Sequence, residues 1–260
     1  MFSLQGRTAL VTGATGHLGQ AMVMGLAAAG AHVLVNSRDP ARAAALVARI
    51  QEQGLSAAPL VFDVGDKEAV RAAMESLAGT PLHVIVNNAY AGAGGTIEHS
   101  QSHQYADSYA MTVVAAHDLV QCALPALRLA VARDADASVV NIASMYGIVS
   151  PDPRVYETPA GTNPPFYGAA KAALVQWTRY AACEFGREGI RVNSISPGPF
   201  PSAAVQANDP AFVARLAQRV PLARIGKPTE LQGPLVFLAS GASSYVNGTN
   251  LVVDGGWTVW

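Results

Sequence analysis

A glycine-rich turn stands between an apolar run and a helical pattern near the N-terminus. The run Thr8–Thr12 has the apolar character of a buried strand and leads into Gly13-Ala14-Thr15-Gly16-His17-Leu18-Gly19. An alanine-rich helical pattern then extends to Gly30. Glycines permit a positive φ and a close approach of the backbone to a pyrophosphate, whose charge a helix N-terminus stabilises. Strand, glycine turn and helix in this order predict a dinucleotide-binding beginning, with a plain tight turn as the alternative.

Short apolar runs alternate with helical patterns along the rest of the chain. The 260 residues are half apolar, which suffices for one large core. Six further runs are candidate strands: 31–36, 57–62, 82–86, 138–142, 191–195 and 250–253. The alternation predicts an α/β fold, a single-domain, Rossmann-type, doubly wound parallel sheet of about seven strands with helices on both faces, over 1–260. The segment 151–165 is the one long irregular stretch, and such loops are commonly functional.

Charge and composition narrow the partners that we expect. A net charge of -1 argues against a nucleic-acid partner. The sequence has no uncharged apolar run of membrane-spanning length and no signal-peptide pattern, so we expect a cytoplasmic protein without a membrane partner. Cys122 and Cys183 lie in apolar helical patterns and are predicted to be buried thiols. His99 and His103 stand four apart without a carboxylate to complete a set, so no metal site is expected.

Tyr167 and Lys171 are candidates for proton transfer. They stand four positions apart, which brings their side chains together on one helix face. A nearby cation can lower the pKa of a phenol by roughly 1 to 3 units, which makes a tyrosine useful as an acid or base. Ser144 follows the fifth candidate strand and could donate a hydrogen bond to a carbonyl oxygen as charge develops there. The chain lacks a G-x-S-x-G elbow, which argues against hydrolysis.

These motifs, in this order along essentially the whole chain, resemble the short-chain dehydrogenase/reductase family in its single-domain branch. The character is closest to gluconate 5-dehydrogenase-like and 3-oxoacyl-carrier-protein-reductase-like members. The resemblance implies that Ser144, Tyr167 and Lys171 are catalytic, with Tyr167 exchanging a proton with the substrate oxygen during hydride transfer. It also implies contacts to a nicotinamide dinucleotide from Gly13, Thr15, Gly16, His17, Leu18, Gly19, Ser37, Arg38, Asp63, Val64, Asn88, Ala89, Tyr167, Lys171, Pro197, Gly198, Phe200 and Ser202.

The choice of cofactor depends on the end of the second candidate strand. An acidic group there would bind the ribose 2'-hydroxyl of NAD, whereas an arginine favours the 2'-phosphate of NADP. The chain has Ser37 followed by Arg38, so NADP(H) is favoured. Asp39, the expected cap of the next helix with Pro40 at its first position, is the alternative hydroxyl partner and keeps NAD(H) open.

Three positions depart from the single-domain pattern. His17 stands where a middle glycine is usual, and Ser144 and Tyr167 are 23 positions apart, about ten more than in single-domain relatives. Thr112 stands where family members commonly carry an asparagine that holds a water linking the catalytic lysine to solvent. A threonine hydroxyl can donate and accept, so Thr112 is a candidate relay, with Ser108 one turn earlier as the nearest alternative.

The long segment supplies the candidate substrate contacts. Pro151 to Pro165 begins near Ser144 and ends near Tyr167, which predicts a cover over the substrate, with a surface or subunit-contact excursion as the alternative. The candidate substrate-binding residues are Ser144 and Tyr146, just before the segment, and Arg154 and Glu157 within it.

The sequence therefore predicts an NADP(H)-dependent oxidoreductase that interconverts a secondary alcohol and a ketone. A polar or polyhydroxylated small molecule is preferred, such as a sugar acid, a polyol or a sugar derivative. The alternatives are a 3-oxoacyl thioester reductase and a non-catalytic NAD(P)-binding sensor. Trp257 and Trp260 are expected to serve packing or subunit contact, and the resemblance implies a homotetramer, with a homodimer as the alternative.

Overall fold

Seven parallel strands form one sheet in the computed structural model, which describes residues 1–92 and 94–260. The order across the sheet is β3-β2-β1-β4-β5-β6-β7. The strands are β1 Thr8–Val11, β2 His32–Ser37, β3 Ala57–Val61, β4 Val84–Asn87, β5 Ala137–Ile142, β6 Ile190–Pro197 and β7 Asn250–Val253. Each coincides with one predicted run to within about three residues at either end, and the predicted fold class is confirmed.

Helices cover both faces of the sheet. They are α1 His17–Ala28, α2 Pro40–Gln51, α3 Lys67–Glu75, α4 Ser102–Tyr109, α5 Ala115–Asp134, α6 Pro165–Phe185, α7 Ala203–Asn208, α8 Pro210–Arg219 and α9 Gln232–Ala239. From β1, the chain adds β2 and β3 on one side of the sheet and β4 to β7 on the other. A crevice therefore opens beside β1, at the carboxyl ends of β1, β2 and β4. This crevice is where a doubly wound sheet binds its ligand.

Alternation along the strands divides the core into two layers. Ala9 and Val11 of β1 point into one layer, with Leu26 of α1 and Leu235 of α9. Leu10, between them, points into the other layer, which contains the buried side chains of α3 and α5. Each fully buried leucine contributes about 1.5 to 3 kcal/mol relative to an exposed one, so both layers hold the sheet in place.

A π-helical segment, Ala110–Val114, joins α4 to α5. By length and composition alone, the helical stretch Ser102–Asp134 is apolar enough to cross a membrane, yet half of its most apolar window is buried inside the fold. A buried core helix has the same composition, so this stretch is weak support for a membrane span. Thr112 lies in the π-helical segment and its side chain points into the protein, where it is 4 % exposed.

The cysteines differ from the prediction of two buried thiols. Cys122 is half-buried in α5, and Cys183 is exposed on α6. The buried stripe of α6 runs through Ala170, Leu174 and Thr178, and helical periodicity places Cys183 off that stripe. Both thiols are free. An apolar helical pattern thus did not identify which side chains face the core.

Candidate active site

The glycine turn forms the floor of a cavity of about 500 Å³ at the carboxyl ends of β1 and β2. Gly13 has φ +59°, and a Cβ at this position would lie 2.9 Å from the Cα of Ala89. A Cβ at Gly19 would overlap the carbonyl oxygens of Gly13 and Ala14. The Asn88 amide donates to the carbonyl of Thr12 at 2.9 Å and of Gly13 at 3.2 Å, which holds the turn against β4.

This cradle fits the pyrophosphate of a dinucleotide. The missing Cβ atoms leave the backbone open for close approach, and α1 begins at His17 with its unpaired N–H groups at the turn. Most of the predicted cofactor residues line the cavity: Gly13, Thr15, Gly16, His17, Leu18, Gly19, Ser37, Arg38, Asp63, Val64, Asn88 and Ala89. A nicotinamide dinucleotide therefore matches the donor set and the shape.

Two arginines border the far end of this cavity. The Arg38 side chain is 67 % exposed and forms an ion pair of 3.5 Å with Asp63, which solvent screens strongly. Arg42, which the sequence prediction missed, lines the same cavity and donates to the carbonyl of Thr15 at 3.1 Å. The Asp39 carboxylate accepts from the backbone N–H groups of Ala41 and Arg42, so it is engaged as the cap of α2. Both guanidinium groups therefore border this end of the cavity, where the Asp39 carboxylate is already occupied by the N–H groups of α2.

Ser144, Tyr167 and Lys171 converge on a second cavity, of about 250 Å³. Ser144 follows β5, while Tyr167 and Lys171 lie on the first two turns of α6. The predicted residues Leu18, Asn88, Pro197, Gly198 and Phe200 line the same space. Ser202 does not line any of the cavities described here, because its hydroxyl caps α7 by accepting from the N–H of Val205.

Lys171 is a buried cation at this junction. Its side chain is 4 % exposed, and its Nζ donates to the carbonyl of Ile142 at 2.7 Å. Burial lowers the pKa of Lys171 to about 8, because the charged form loses solvation.

The Tyr167 phenol has a pKa above its usual value. Burial raises the pKa, and the hydrogen bond to Ser144 acts in the opposite direction. The expected lowering of the Tyr167 pKa by Lys171 is not seen. The ammonium is directed at the Ile142 carbonyl, and its Nζ lies 5.7 Å from the Tyr167 ring centroid.

A third cavity, of about 430 Å³, opens beside Ser144 and Tyr167. Its hydrogen-bonding lining includes the phenols of Tyr146 and Tyr156, whose oxygens lie 2.8 Å apart. Asn163 also lines it, and the buried amide oxygen of this residue has no partner among the described residues. Burial raises the pKa of Tyr146, so its phenol stays protonated and can donate. The opposite wall is apolar and contains Met145, Phe212 and Leu216.

Arg154 and Glu157 lie outside the lining of this cavity, contrary to their prediction as substrate contacts. The Arg154 side chain is 81 % exposed and pairs with Asp152 at 2.9 Å. Glu157 pairs with Arg215 at 3.1 Å. Their charges are neutralised by these ion pairs on the outer side of the segment, while its Tyr156, Thr162, Asn163 and Pro164 face the cavity.

Thr112 and Lys171 both line a void of about 10 Å³. The Thr112 hydroxyl has no hydrogen-bond partner within the described part of the chain. Ser108 has a different position: its hydroxyl donates to the carbonyl of Phe166 at 3.1 Å and lies 3.2 Å from the Tyr90 oxygen.

Several cavity-lining residues were missed by sequence reasoning, namely Asn36, Arg42, Phe62, Tyr90, Met111, Tyr156 and Asn163. Four of them carried a signal in the sequence. Arg42 stands on the first turn of α2, three positions after its cap, and Tyr90 directly follows Asn88-Ala89 after β4. Asn36 and Phe62 directly precede the predicted Ser37 and Asp63. Met111, Tyr156 and Asn163 reach the cavities from other segments of the chain.

Known proteins resemble this chain over its whole length. A family model described as enoyl-(acyl carrier protein) reductase matches residues 13–258. The 5-keto-D-gluconate 5-reductase of Escherichia coli K12 is 35% identical over 263 residues, covering 100% of this chain and 98% of that protein. The chain belongs to the short-chain dehydrogenase/reductase family. As a member, it is an oxidoreductase that acts on hydroxyl and carbonyl groups.

Two further members of this dehydrogenase/reductase family show its range. A 3-oxoacyl-[acyl-carrier-protein] reductase of rhamnolipid biosynthesis from Pseudomonas aeruginosa is 33% identical, covering 98% of both chains. The structure of a gluconate 5-dehydrogenase from Burkholderia cenocepacia, in complex with NADP and tartrate, superposes with a TM-score of 0.87. The Burkholderia protein is 31% identical to this chain, and the match covers 100% of this chain and 98% of the Burkholderia chain.

Proposed function

We propose that this protein uses NADP(H) to interconvert a secondary alcohol and a ketone in a polyhydroxylated small molecule. Ser144 and Tyr167 carry this proposal, because they border two cavities. One shares Leu18, Asn88 and Tyr90 with the cofactor crevice, and the other is lined by the phenols of Tyr146 and Tyr156. Arg38 and Arg42 favour NADP over NAD, because both border the crevice where Asp39 is occupied as a helix cap. The Burkholderia relative was solved with NADP.

The side chains suit ketone reduction. When bound, NADPH supplies the hydride for the carbonyl carbon. The Tyr167 phenol gives its proton to the carbonyl oxygen, while the Ser144 hydroxyl donates a hydrogen bond to the charge that develops there. Lys171, held by the Ile142 carbonyl, provides a buried positive charge on the same side. In alcohol oxidation, Tyr167 accepts the proton instead.

The cavity of about 430 Å³ beside Ser144 and Tyr167 is the substrate cavity of this proposal, and its hydroxyl groups give it selectivity. Among the described lining residues of this cavity and its neighbour, Lys171 carries the only ammonium or guanidinium group. Hydrogen bonds from Tyr146, Tyr156 and Asn163 therefore recognise substrate hydroxyls, rather than an ion pair recognising a carboxylate. Sugar acids, polyols and sugar derivatives carry such hydroxyls. The names of relatives make 5-keto-D-gluconate the first compound to test.

A 3-oxoacyl thioester is the second candidate substrate. The apolar wall of Met145, Phe212 and Leu216 favours it, because an acyl chain would bury its methylene groups there. The Pseudomonas relative carries a 3-oxoacyl reductase name. A non-catalytic sensor is the third candidate and would bind cofactor without turnover.

An activity screen separates these candidates. Purified protein is assayed at 340 nm with NADPH and NADH against 5-keto-D-gluconate, neutral ketoses and an acetoacetyl thioester. We expect the highest kcat/KM with NADPH and a polyhydroxylated ketone. Preference for the thioester would favour the second candidate. Cofactor binding without turnover on any member of the panel would favour the sensor.

The organisation of the protein extends this proposal. Residues 1–260 act as one dehydrogenase domain in which the segment 151–165 forms a wall of the substrate cavity, supported by its lining residues. A homotetramer, or a homodimer, is supported by the exposed Val252 on the edge strand β7 and by Trp260, which is 68% exposed. Light scattering after gel filtration tests the assembly. The free thiols of Cys122 and Cys183 suit the reducing cytoplasm.

A further inference from the structure

Tyr90 lies at the junction of the three cavities. It follows β4 and, among the described lining residues, is the one shared by all three. These are the nucleotide cavity above the glycine turn, the catalytic cavity lined by Ser144 and Lys171, and the substrate cavity lined by Tyr146. The proposed chemistry uses none of its groups. Its contacts are nevertheless made to the two catalytic residues of α6.

The ring of Tyr90 touches both Tyr167 and Lys171. Its centroid lies 4.8 Å from that of Tyr167, with an angle of 70° between the planes. This is an edge-to-face contact, which restricts where the Tyr167 ring can stand. The Nζ of Lys171 lies 5.3 Å from the Tyr90 centroid, within the range in which an aromatic face attracts a cation.

The outer end of Tyr90 is anchored. Its oxygen lies 3.2 Å from the hydroxyl of Ser108, which is buried in α4 and donates to the carbonyl of Phe166. A Cβ at Gly92 would lie 2.6 Å from the Tyr90 oxygen, so a glycine leaves the room that the phenol needs. Burial raises the pKa of Tyr90, so the ring remains a neutral phenol. The anchor therefore fixes the ring against the start of α6.

We propose that Tyr90 is a positioning residue, whose ring holds the Tyr167 phenol in place and stabilises the ammonium form of Lys171. The kinetic part of this inference rests on the proposed function, and the electrostatic part does not.

Tyr90 is the nearer of the two aromatic rings beside the Lys171 ammonium, at 5.3 Å against 5.7 Å for Tyr167, and its attraction offsets part of the cost of burial. The Lys171 ammonium has one protein acceptor within the described chain, the Ile142 carbonyl. The titratable groups facing it are the phenols of Tyr167 on α6 and Tyr90 after β4. The π-helical segment and β5 present neutral groups, Thr112 and the Ile142 carbonyl. Loss of the Tyr90 ring therefore leaves the cation poorly compensated.

The titration of Lys171 tests the electrostatic part directly. The chain has three lysines, so carbon-13 labelling of lysine gives three Cε signals, of which Lys171→Arg identifies one. Lys67 and Lys227 lie on the surface and serve as internal references. The wild-type Lys171 signal should titrate near the pKa of about 8 that burial sets.

The variants separate the ring from the hydroxyl. Tyr90→Leu removes the ring, and we expect the Lys171 midpoint to fall by roughly half a unit to about one and a half units. Tyr90→Phe keeps the ring and should leave the midpoint near that of the wild type. Tyr180→Leu is the control, because Tyr180 lies on α6 with Lys171 but is 70% exposed. An unchanged midpoint in Tyr90→Leu, or an equal fall in Tyr90→Phe, would overturn the assignment to the ring. Tyr90→Met, also without a ring, replaces Tyr90→Leu if the latter misfolds.

Kinetics test the positioning part. For Tyr90→Leu, we expect kcat to fall at least about tenfold and the alkaline limb of its pH profile to move to lower pH, with the KM for NADPH changed less than about threefold. Wild-type kcat and pH profile would exclude the positioning role. If the wild-type protein reduces no ketone, the proposed function fails, while the lysine titration still decides the electrostatic role.

Discussion

At the residue scale, Tyr167 is where proton transfer and binding can be separated. Its phenol lines the catalytic and substrate cavities but is absent from the lining of the nucleotide cavity. Tyr167→Phe should therefore lower kcat by at least about a hundredfold, the low end for losing a general acid, while NADPH affinity stays nearly unchanged. Turnover and fluorescence quenching of NADPH measure the two effects. Wild-type-like turnover would remove Tyr167 from the acid role.

Arg38 and Arg42 decide the preference between cofactors. Each can form a charge-assisted hydrogen bond to a 2'-phosphate, worth about 1.5 to 3 kcal/mol. Arg38→Ala and Arg42→Ala should each weaken NADPH binding by roughly ten- to a hundredfold and leave NADH binding nearly unchanged. Arg49→Ala, at the end of α2 and outside the cavity lining, is the matched control. Equal losses for both cofactors would contradict the NADP preference.

Thr112 is the remaining polar group beside Lys171. Its hydroxyl has no partner among the described residues. The void of about 10 Å³ that Thr112 and Lys171 both line is roughly large enough for one bridging water. Thr112→Val keeps the shape and removes the hydroxyl. We expect kcat to fall several-fold, with a larger solvent deuterium isotope effect and unchanged NADPH affinity. Full activity with a wild-type isotope effect would mean that protons take another route.

At the element scale, α8 holds the segment 151–165, part of which lines the cavity beside Ser144 and Tyr167. Arg219 pairs with Asp152 at 3.1 Å, and Arg215 donates to the carbonyl of Val155 at 2.7 Å. The hydrogen bonds and charges of its partners, Arg154 first, hold the pKa of Asp152 at about 2. Because the folded pKa lies below its usual value of 3.8, the pairing persists above that value and is lost as the pH falls toward 2.

Breaking the contacts between α8 and this segment should weaken substrate binding and leave cofactor binding unchanged. Arg219→Ala removes the link to α8, and we expect the KM for the ketone to rise by roughly three- to tenfold while the KM for NADPH stays constant. Arg154→Ala removes only the exposed partner of Asp152 and should change neither value measurably. Steady-state kinetics at pH 7 gives all four values. A wild-type ketone KM in Arg219→Ala would assign the segment to scaffold.

At the scale of the whole molecule, the two ends of the sheet have different tasks. The cavities lie at the carboxyl ends of the strands, while Arg7, Asp136 and Arg191 meet at the amino ends of β1, β5 and β6. Arg191 is 6% exposed and binds Asp136 at 2.9 Å. Its remaining donors reach the carbonyls of Leu238 and Ser240. This network ties α9 to the sheet far from the chemistry.

Disrupting this network should therefore lower the free energy of unfolding and leave the activity unchanged. Asp136→Asn leaves the Arg191 charge uncompensated, and we expect the free energy of unfolding to fall by about 2 to 4 kcal/mol, with KM and kcat unchanged. Glu188→Gln breaks the exposed pair with Arg128 and should cost less than about 1 kcal/mol. Denaturant unfolding and steady-state kinetics compare the two. Equal stability losses would contradict a structural role specific to Arg191.

The fold and the proximity of Tyr167 and Lys171 were readable from the sequence because their signals are local. Each strand is a short apolar run, and the glycine turn between β1 and α1 needs neighbours in the chain only. Tyr167 and Lys171 share a helix turn, so their spacing alone predicts that they meet.

The lining of the substrate cavity was decided by tertiary structure. A charged side chain in a loop turns toward the nearest opposite charge, and Asp152 and Arg215 draw Arg154 and Glu157 outward. Glu157 turns toward Arg215 of α8, which lies 58 positions further along the chain, whereas Arg154 pairs with Asp152 only two positions before it. Tyr90 is the reverse case: its position after β4 is local, but its task depends on α4 and α6 packing against it. Local spacing thus determined which residues could do chemistry, while packing between distant segments decided which of them line the cavities.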